Sequence, residues 1–233
     1  MLKLPGRALP ANMVLRLLLC NCLGAMLAAG VLAGVAAAAQ GERPLRIVVL
    51  GDSLVAGFGL KPSQAFPAQL ERALIARGHA VEVVNAGVSG DTTAGGLERV
   101  TWAVPQGTDA VIVELGANDA LRGLDPQLAK ANLDRIISIL KARGAQVLLA
   151  GMLAPRNLGP EYVRAFDAIY PELAAKDGVL LYPFFLEGVA LDARFNIGDG
   201  LHPNDAGVGR ITQNILPSVE RLIARVGERA AEQ

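Results

Sequence analysis

From Leu45 onward the apolar residues fall into two alternating patterns. Short runs rich in Val, Ile and Leu occupy 46–50 (RIVVL), 80–85 (AVEVVN), 109–115 (DAVIVEL), 145–151 (AQVLLAG) and 178–183 (GVLLYP). Most are continuous rather than alternating, as in strands buried on both faces. Between them lie longer stretches with helical spacing. The clearest runs from Pro126 to Arg143, with Pro in the first turn, Leu128, Leu133, Ile136, Ile137 and Leu140 on one face, and Gly144 as the stop. Further helices are predicted over about 64–77, 92–102, 160–176 and 205–226. Five strands alternating with helices predict one α/β domain, a parallel sheet covered by helices on both faces in a three-layer α/β/α sandwich. No internal repeat or low-complexity linker follows Gly41.

The first 39 residues do not belong to this pattern. Lys3, Arg7 and Arg16 precede a nearly unbroken apolar run that ends in alanines, the form of a secretory signal peptide, with cleavage expected after Ala39. The division expected is therefore 1–39 as signal and 40–233 as the folded domain, exported to the periplasm or medium. The competing reading is an uncleaved membrane anchor, because 17–39 is long enough to span a bilayer. Both cysteines, Cys20 and Cys22, lie in this segment, so the exported domain contains none and relies on its core. Of the 22 basic residues three leave with the signal. The remaining 19 face 22 acidic ones, and nothing in this balance suggests a nucleic-acid partner. The charged helix faces suggest a monomer.

In open parallel sheets, ligands bind beyond the carboxyl ends of the strands. The segments there are GDSLVAGFG, AGVSGDTTAGG, GANDALRG, MLAPRNLG and, before the last helix, GDGLHPNDAG. They gather the polar and glycine-rich residues at one rim. Ser53 is the candidate nucleophile, and a serine hydroxyl needs a base within hydrogen-bond reach. The chain has two histidines. His79 enters the second strand at its amino end, on the opposite rim, which leaves His202. Asp199, three residues earlier, can orient the imidazole and stabilise its charged form; alone it also reads as a turn aspartate. Asp205 is better suited to the start of the last helix and Asp192 to a solvated loop. For the oxyanion of acyl transfer the rim offers the N–H groups of Ser53 and Gly90 and the Asn118 side-chain amide; taken singly, Gly90 and Asn118 also read as ordinary turn residues. Phe58, Leu153, Pro155 and Phe184 put apolar groups into loops that are usually polar, as a groove for an acyl chain or aromatic ring would require.

The four blocks GDSL (51–54), SGDT (89–92), GAND (116–119) and DGLH (199–202) resemble, in order and spacing, the signature blocks of the SGNH/GDSL hydrolases. Longer stretches, VVNAGVSGDTTAGGLERV, VELGANDALRG and AIYPELAAKDGVLLYPFF, are most similar to the small secreted bacterial arylesterase and acyl-CoA thioesterase I type, which also acts on lysophospholipids. The resemblance implies a flavodoxin-like sheet in the order 2-1-3-4-5, with Ser53 as nucleophile and Asp199 and His202 as orienter and base. Gly90 and Asn118 are the implied oxyanion donors. Small esters or acyl-thioesters are the implied substrates, with membrane lipid as a further candidate, and no metal or cofactor is needed. In such proteins the loop equivalent to 152–159 adjusts on acyl binding.

Two other functions fit parts of the sequence. A carbohydrate O-deacetylase belongs to the same family, but the rim is poor in the aromatic and acidic residues of sugar sites, and Trp102 falls in a predicted helix. A periplasmic domain that binds phosphate through its glycine loops is the non-catalytic alternative. It lacks G-x-x-x-x-G-K-[ST] and G-x-G-x-x-G, and leaves Ser53 with His202 unexplained. The surroundings of Ser53 are not a G-x-S-x-G elbow, which sets the chain apart from ordinary α/β-hydrolases.

Overall fold

The computed structural model describes residues 43–231; the expected signal peptide and its cleavage site lie outside them. Strand β1 (Leu45–Gly51) carries Ile47 to Leu50 with no exposed surface, because β2 (Val81–Gly87) flanks it on one side and β3 (Ala110–Glu114) on the other. β3 is buried at every position. β4 (Gln146–Ala150) and the three-residue β5 (Leu180–Tyr182) complete an all-parallel sheet in the order β2-β1-β3-β4-β5. β2 departs from the continuous pattern. As an edge strand it buries Val81 and Val83 while Glu82 turns outward to Arg46 at 2.9 Å.

Helices cover both faces. α1 (Ser53–Ala56) follows β1 directly, and α2 (Phe66–Ala76) packs on the long C-terminal helix α8 (Asp205–Ala231). On the other face α3 (Thr93–Ala103) packs on α5 (Pro126–Ala142), and α5 on α7 (Ile169–Asp177). The short α4 (Ala117–Leu121) follows β3, and α6 (Pro160–Asp167) precedes α7. α5 begins with Asp125 accepting from Gln127 N–H at 2.9 Å and Pro126 in the first turn, as its sequence requires.

The helix expected over 160–176 is two, broken at Ala168. Pro171 has no N–H to return to the Asp167 carbonyl, so the chain ends one helix and starts another. α8 instead runs through Pro217, held by a buried stripe that includes Val208, Ile211, Ile215 and Val219. No helix of the described residues is long and apolar enough to cross a membrane.

The order 2-1-3-4-5 reverses direction at β1. The loops after β1, β2 and β3 therefore diverge around one crevice at the carboxyl rim, where ligands bind in such sheets.

Candidate active site

Asp52 ends the turn after β1 and caps α1, its Oδ1 accepting from Leu54 N–H at 2.9 Å. Ser53 is thus the first residue of a helix pinned to the sheet rim. The fit is close: a Cβ on Gly87, at the end of β2, would lie 2.3 Å from the Ala56 backbone nitrogen, so only glycine lets the helix that begins at Ser53 lie there.

Ser53 Oγ lies 2.9 Å from His202 Nε2, and His202 Nδ1 lies 2.6 Å from Asp199 Oδ2. Asp199 Oδ1 accepts from the N–H groups of Leu201 and His202 at 2.9 and 3.0 Å. Those two backbone donors, and then the imidazole, pull its carboxyl down to about 2. It is a fixed anion against Nδ1, which makes Nδ1 the donor and leaves Nε2 free to accept from the serine hydroxyl. Phe58 lies against the imidazole, ring centroids 4.5 Å apart, with half its surface exposed.

The loop after β2 brings Gly90 to the rim with φ of +83°, a backbone conformation in which a side chain is strained. Its carbonyl accepts from Arg122 at 2.8 Å, and among the described residues the N–H groups of Gly90 and Ser53 donate to nothing. Asn118, in the first turn of α4, donates through Nδ2 to Asp52 Oδ2 at 3.0 Å and to the Asp91 carbonyl at 2.9 Å. Both of its amide hydrogens are held, so a ligand oxygen reaches it only by sharing one of them.

Of the apolar rim residues, Leu153 is exposed and Pro155 partly so, whereas Phe184 packs largely against the core. Asn204 caps α8 by accepting from Gly207 N–H at 3.0 Å, and Asp205 follows in the first turn, bonded to Gln69. Asp192 pairs with Arg194 on the surface, and His79 lies 3.6 Å from Glu220. Trp102 is an exposed residue of α3.

Three groups beneath the site escaped the sequence reading. Arg99 of α3 is buried and donates to Asp91 Oδ2 (2.6 Å), the Ala86 carbonyl (2.7 Å) and the Gly51 carbonyl (2.8 Å), so one side chain fastens the ends of β1 and β2 to the Gly90 loop. Asp119 receives Thr93 N–H and hydroxyl at 2.8 and 2.7 Å, joining α3 to α4. Glu114, at the end of β3, is fully buried with its Oε2 3.4 Å from Asp52 N. The sequence signal for Glu114 was a carboxylate inside an otherwise apolar strand.

A serine hydroxyl bonded to a histidine that is itself backed by an aspartate, at the carboxyl rim of a parallel sheet, defines the class: a serine hydrolase. Residues 49–210 match the model of the GDSL-like Lipase/Acylhydrolase family. "Esterase TesA" of Pseudomonas aeruginosa is 41% identical over 178 residues, covering 76% of this chain and 89% of that protein. "Thioesterase 1/protease 1/lysophospholipase L1" of Escherichia coli K12 is 43% identical over 159 residues, covering 68% and 75%. A solved crystal structure of TesA superposes with a TM-score of 0.72 at 40% identity, over 76% of this chain and 99% of that one. The chain belongs to the GDSL-like lipase/acylhydrolase family.

Proposed function

We propose that this protein hydrolyses carboxylic esters and acyl-thioesters through an acyl-enzyme on Ser53. The observation that carries the reading is the unbroken line Ser53 Oγ, His202, Asp199, with hydrogen bonds of 2.9 and 2.6 Å. In the first step Ser53 Oγ attacks the acyl carbon while His202 Nε2 takes the hydroxyl proton, and Asp199 stabilises the imidazolium. The carbonyl oxygen becomes an oxyanion, met by the free N–H groups of Ser53 and Gly90 and by a shared hydrogen of Asn118. Collapse expels the alcohol or thiol, which leaves with the proton from His202. A water, deprotonated by the same nitrogen, then releases the acid and regenerates the serine.

The acyl or aryl part lies along Phe58, Leu153, Pro155 and the half-buried Phe184, and lysophospholipids fall within the substrate class. The relatives named as esterase and thioesterase support this range. The protein acts as a monomer in the periplasm or medium after loss of 1–39.

The test is hydrolysis of p-nitrophenyl esters from acetate to long chains, beside palmitoyl-CoA, by the mature chain and its Ser53→Ala variant. Activity on medium or long chains that disappears in the variant is expected. Activity confined to acetate would favour the deacetylase, and activity retained by Ser53→Ala would remove the acyl-enzyme.

A further inference from the structure

Two buried carboxyl groups lie directly beneath the nucleophile, and neither has a part in the steps above. Asp52 has no exposed surface, and its two oxygens are divided between two donors: Oδ1 takes Leu54 N–H at 2.9 Å and Oδ2 takes Asn118 Nδ2 at 3.0 Å. Glu114 is also fully buried, beside Asp52 at the end of β3. Its Oε2 receives only a long contact of 3.4 Å from Asp52 N, and its Oε1 meets no donor.

We propose that Asp52 is a positioning residue for hydrolysis: its two oxygens tie the nucleophile's helix to the Asn118 amide, so that the Ser53 N–H and Asn118 Nδ2 form one rigid oxyanion cradle, with the Glu114 side chain backing it from below. This rests on the reading of Ser53 as nucleophile and Asn118 as oxyanion donor.

Three arguments support it. The first is the direction of the Asn118 amide. Its nitrogen and oxygen are nearly the same size, and it is the acceptors at Asp52 and Asp91 that fix which way round the amide lies. An amide turned over would present its oxygen to a developing oxyanion and repel it. The second is the count of acceptors. Leu54 N–H and Asn118 Nδ2 need two separate oxygens at residue 52; an asparagine there has one, and would set its own N–H₂ against one of the two donors.

The third argument is where the proton sits. A fully buried carboxylate with one weak donor and an anionic neighbour is untenable, and burial followed by the charge on Asp52 pushes the Glu114 carboxyl well up. Burial also raises Asp52, but only to about 6, because Leu54 N–H, the Asn118 amide and the Glu114 carboxyl all favour its charged form. Near neutral pH the pair therefore holds one proton, on Glu114, and one charge, on Asp52. The donorless Oε1 fits a hydroxyl oxygen, which seeks an acceptor. The other polar groups nearby do not compete: the Tyr170 hydroxyl donates to the Leu115 carbonyl at 2.9 Å, Asp119 is occupied by Thr93, and His202 faces Ser53 and Asp199.

The deciding experiment is a double-mutant cycle on kcat with a p-nitrophenyl ester, using the parent chain, Asp52→Asn, Asn118→Ala and the pair, with Ser53→Ala as the control. Asp52→Asn is expected to lower kcat on the order of a hundredfold, the usual scale for losing an oxyanion donor, with KM within about threefold. In the Asn118→Ala background it should cost less than about threefold. Equal losses in both backgrounds, or an Asn118→Ala chain as active as the parent, would overturn the proposal. Residual activity in Ser53→Ala would sink the functional reading and this inference together, whereas a dead Ser53→Ala with an additive cycle sinks the inference alone. Should Asp52→Asn not fold, Glu114 decides: Glu114→Ala should lower kcat at least tenfold, and Glu114→Gln, whose carboxamide can donate to Asp52, should recover most of that loss. A glutamine no better than alanine would overturn it.

Discussion

Replacing Arg99 by methionine removes the one side chain that fastens β1 and β2 to the Gly90 loop. Methionine matches its aliphatic length, so the loss is of donors rather than volume. The Arg99 side chain is 7% exposed and that of Asp91 17%, so the pair is largely shielded from water. The variant leaves that carboxylate without its counter-ion and the carbonyls of Ala86 and Gly51 without a charged donor; Gly51 O keeps one bond, from Val88 N–H at 3.0 Å. Breaking a buried ion pair from one side costs about 3–5 kcal/mol, dominated by the stranded partner. At roughly 2–4 °C per kcal/mol for a domain of this size, Tm should fall by about 12 °C. Urea denaturation at pH 7 measures the free energy directly. Because the cost lies in the orphaned charge, Arg99→Met with Asp91→Asn should be more stable than Arg99→Met alone, and Arg99→Lys should recover little, since one ammonium cannot span three acceptors. A loss under about 1 kcal/mol, or a double variant no better than the single one, would refute the reasoning.

Three shorter predictions follow from the rim. Asp199, held at about 2, stays ionised throughout the working range, whereas Asp52, raised to about 6, is charged above that pH and neutral below it; kcat/KM should fall below about pH 6, and an acid limb that Asp52→Asn leaves unchanged would contradict this. Phe58→Ala removes the ring that lies on His202 and should cost about two- to fivefold in kcat on p-nitrophenyl acetate, the scale of an exposed cation–π contact, with a larger loss in kcat/KM on octanoate; equal loss on both esters would leave Phe58 no part in acyl binding. Pro155→Gly loosens the loop between β4 and α6 and should shift chain-length preference more than turnover of a short ester, as an ester series would register; a uniform loss would count against a groove at this loop.

The sheet was legible because its strands are buried on both faces and so read as continuous apolar runs, and the order followed from the family resemblance. Ser53, His202 and Asp199 stood out because histidine is scarce and the strand-end rule puts only one of the two on the right rim. The supporting layer was hidden for the opposite reason. Arg99 is a charged residue within a helix and Asp52 a polar residue between a strand and a helix, where exposure is the ordinary expectation, yet the fold buries both. Glu114 did interrupt a buried run, but its meaning depends on Asp52, which is 62 positions away. The break at Ala168 was concealed because Pro171 lies where a new helix tolerates proline and an old one does not.

Ser53 and His202, bonded at 2.9 Å, are 149 positions apart in the chain, near opposite ends of the domain. Closing so long a loop costs chain entropy before the contact repays it. No amino-terminal fragment carries a base for its serine, and a partly folded chain has a hydroxyl no more reactive than any other on its surface. Activity through this pair therefore requires the completed domain, which makes ester turnover a sensitive clock for refolding.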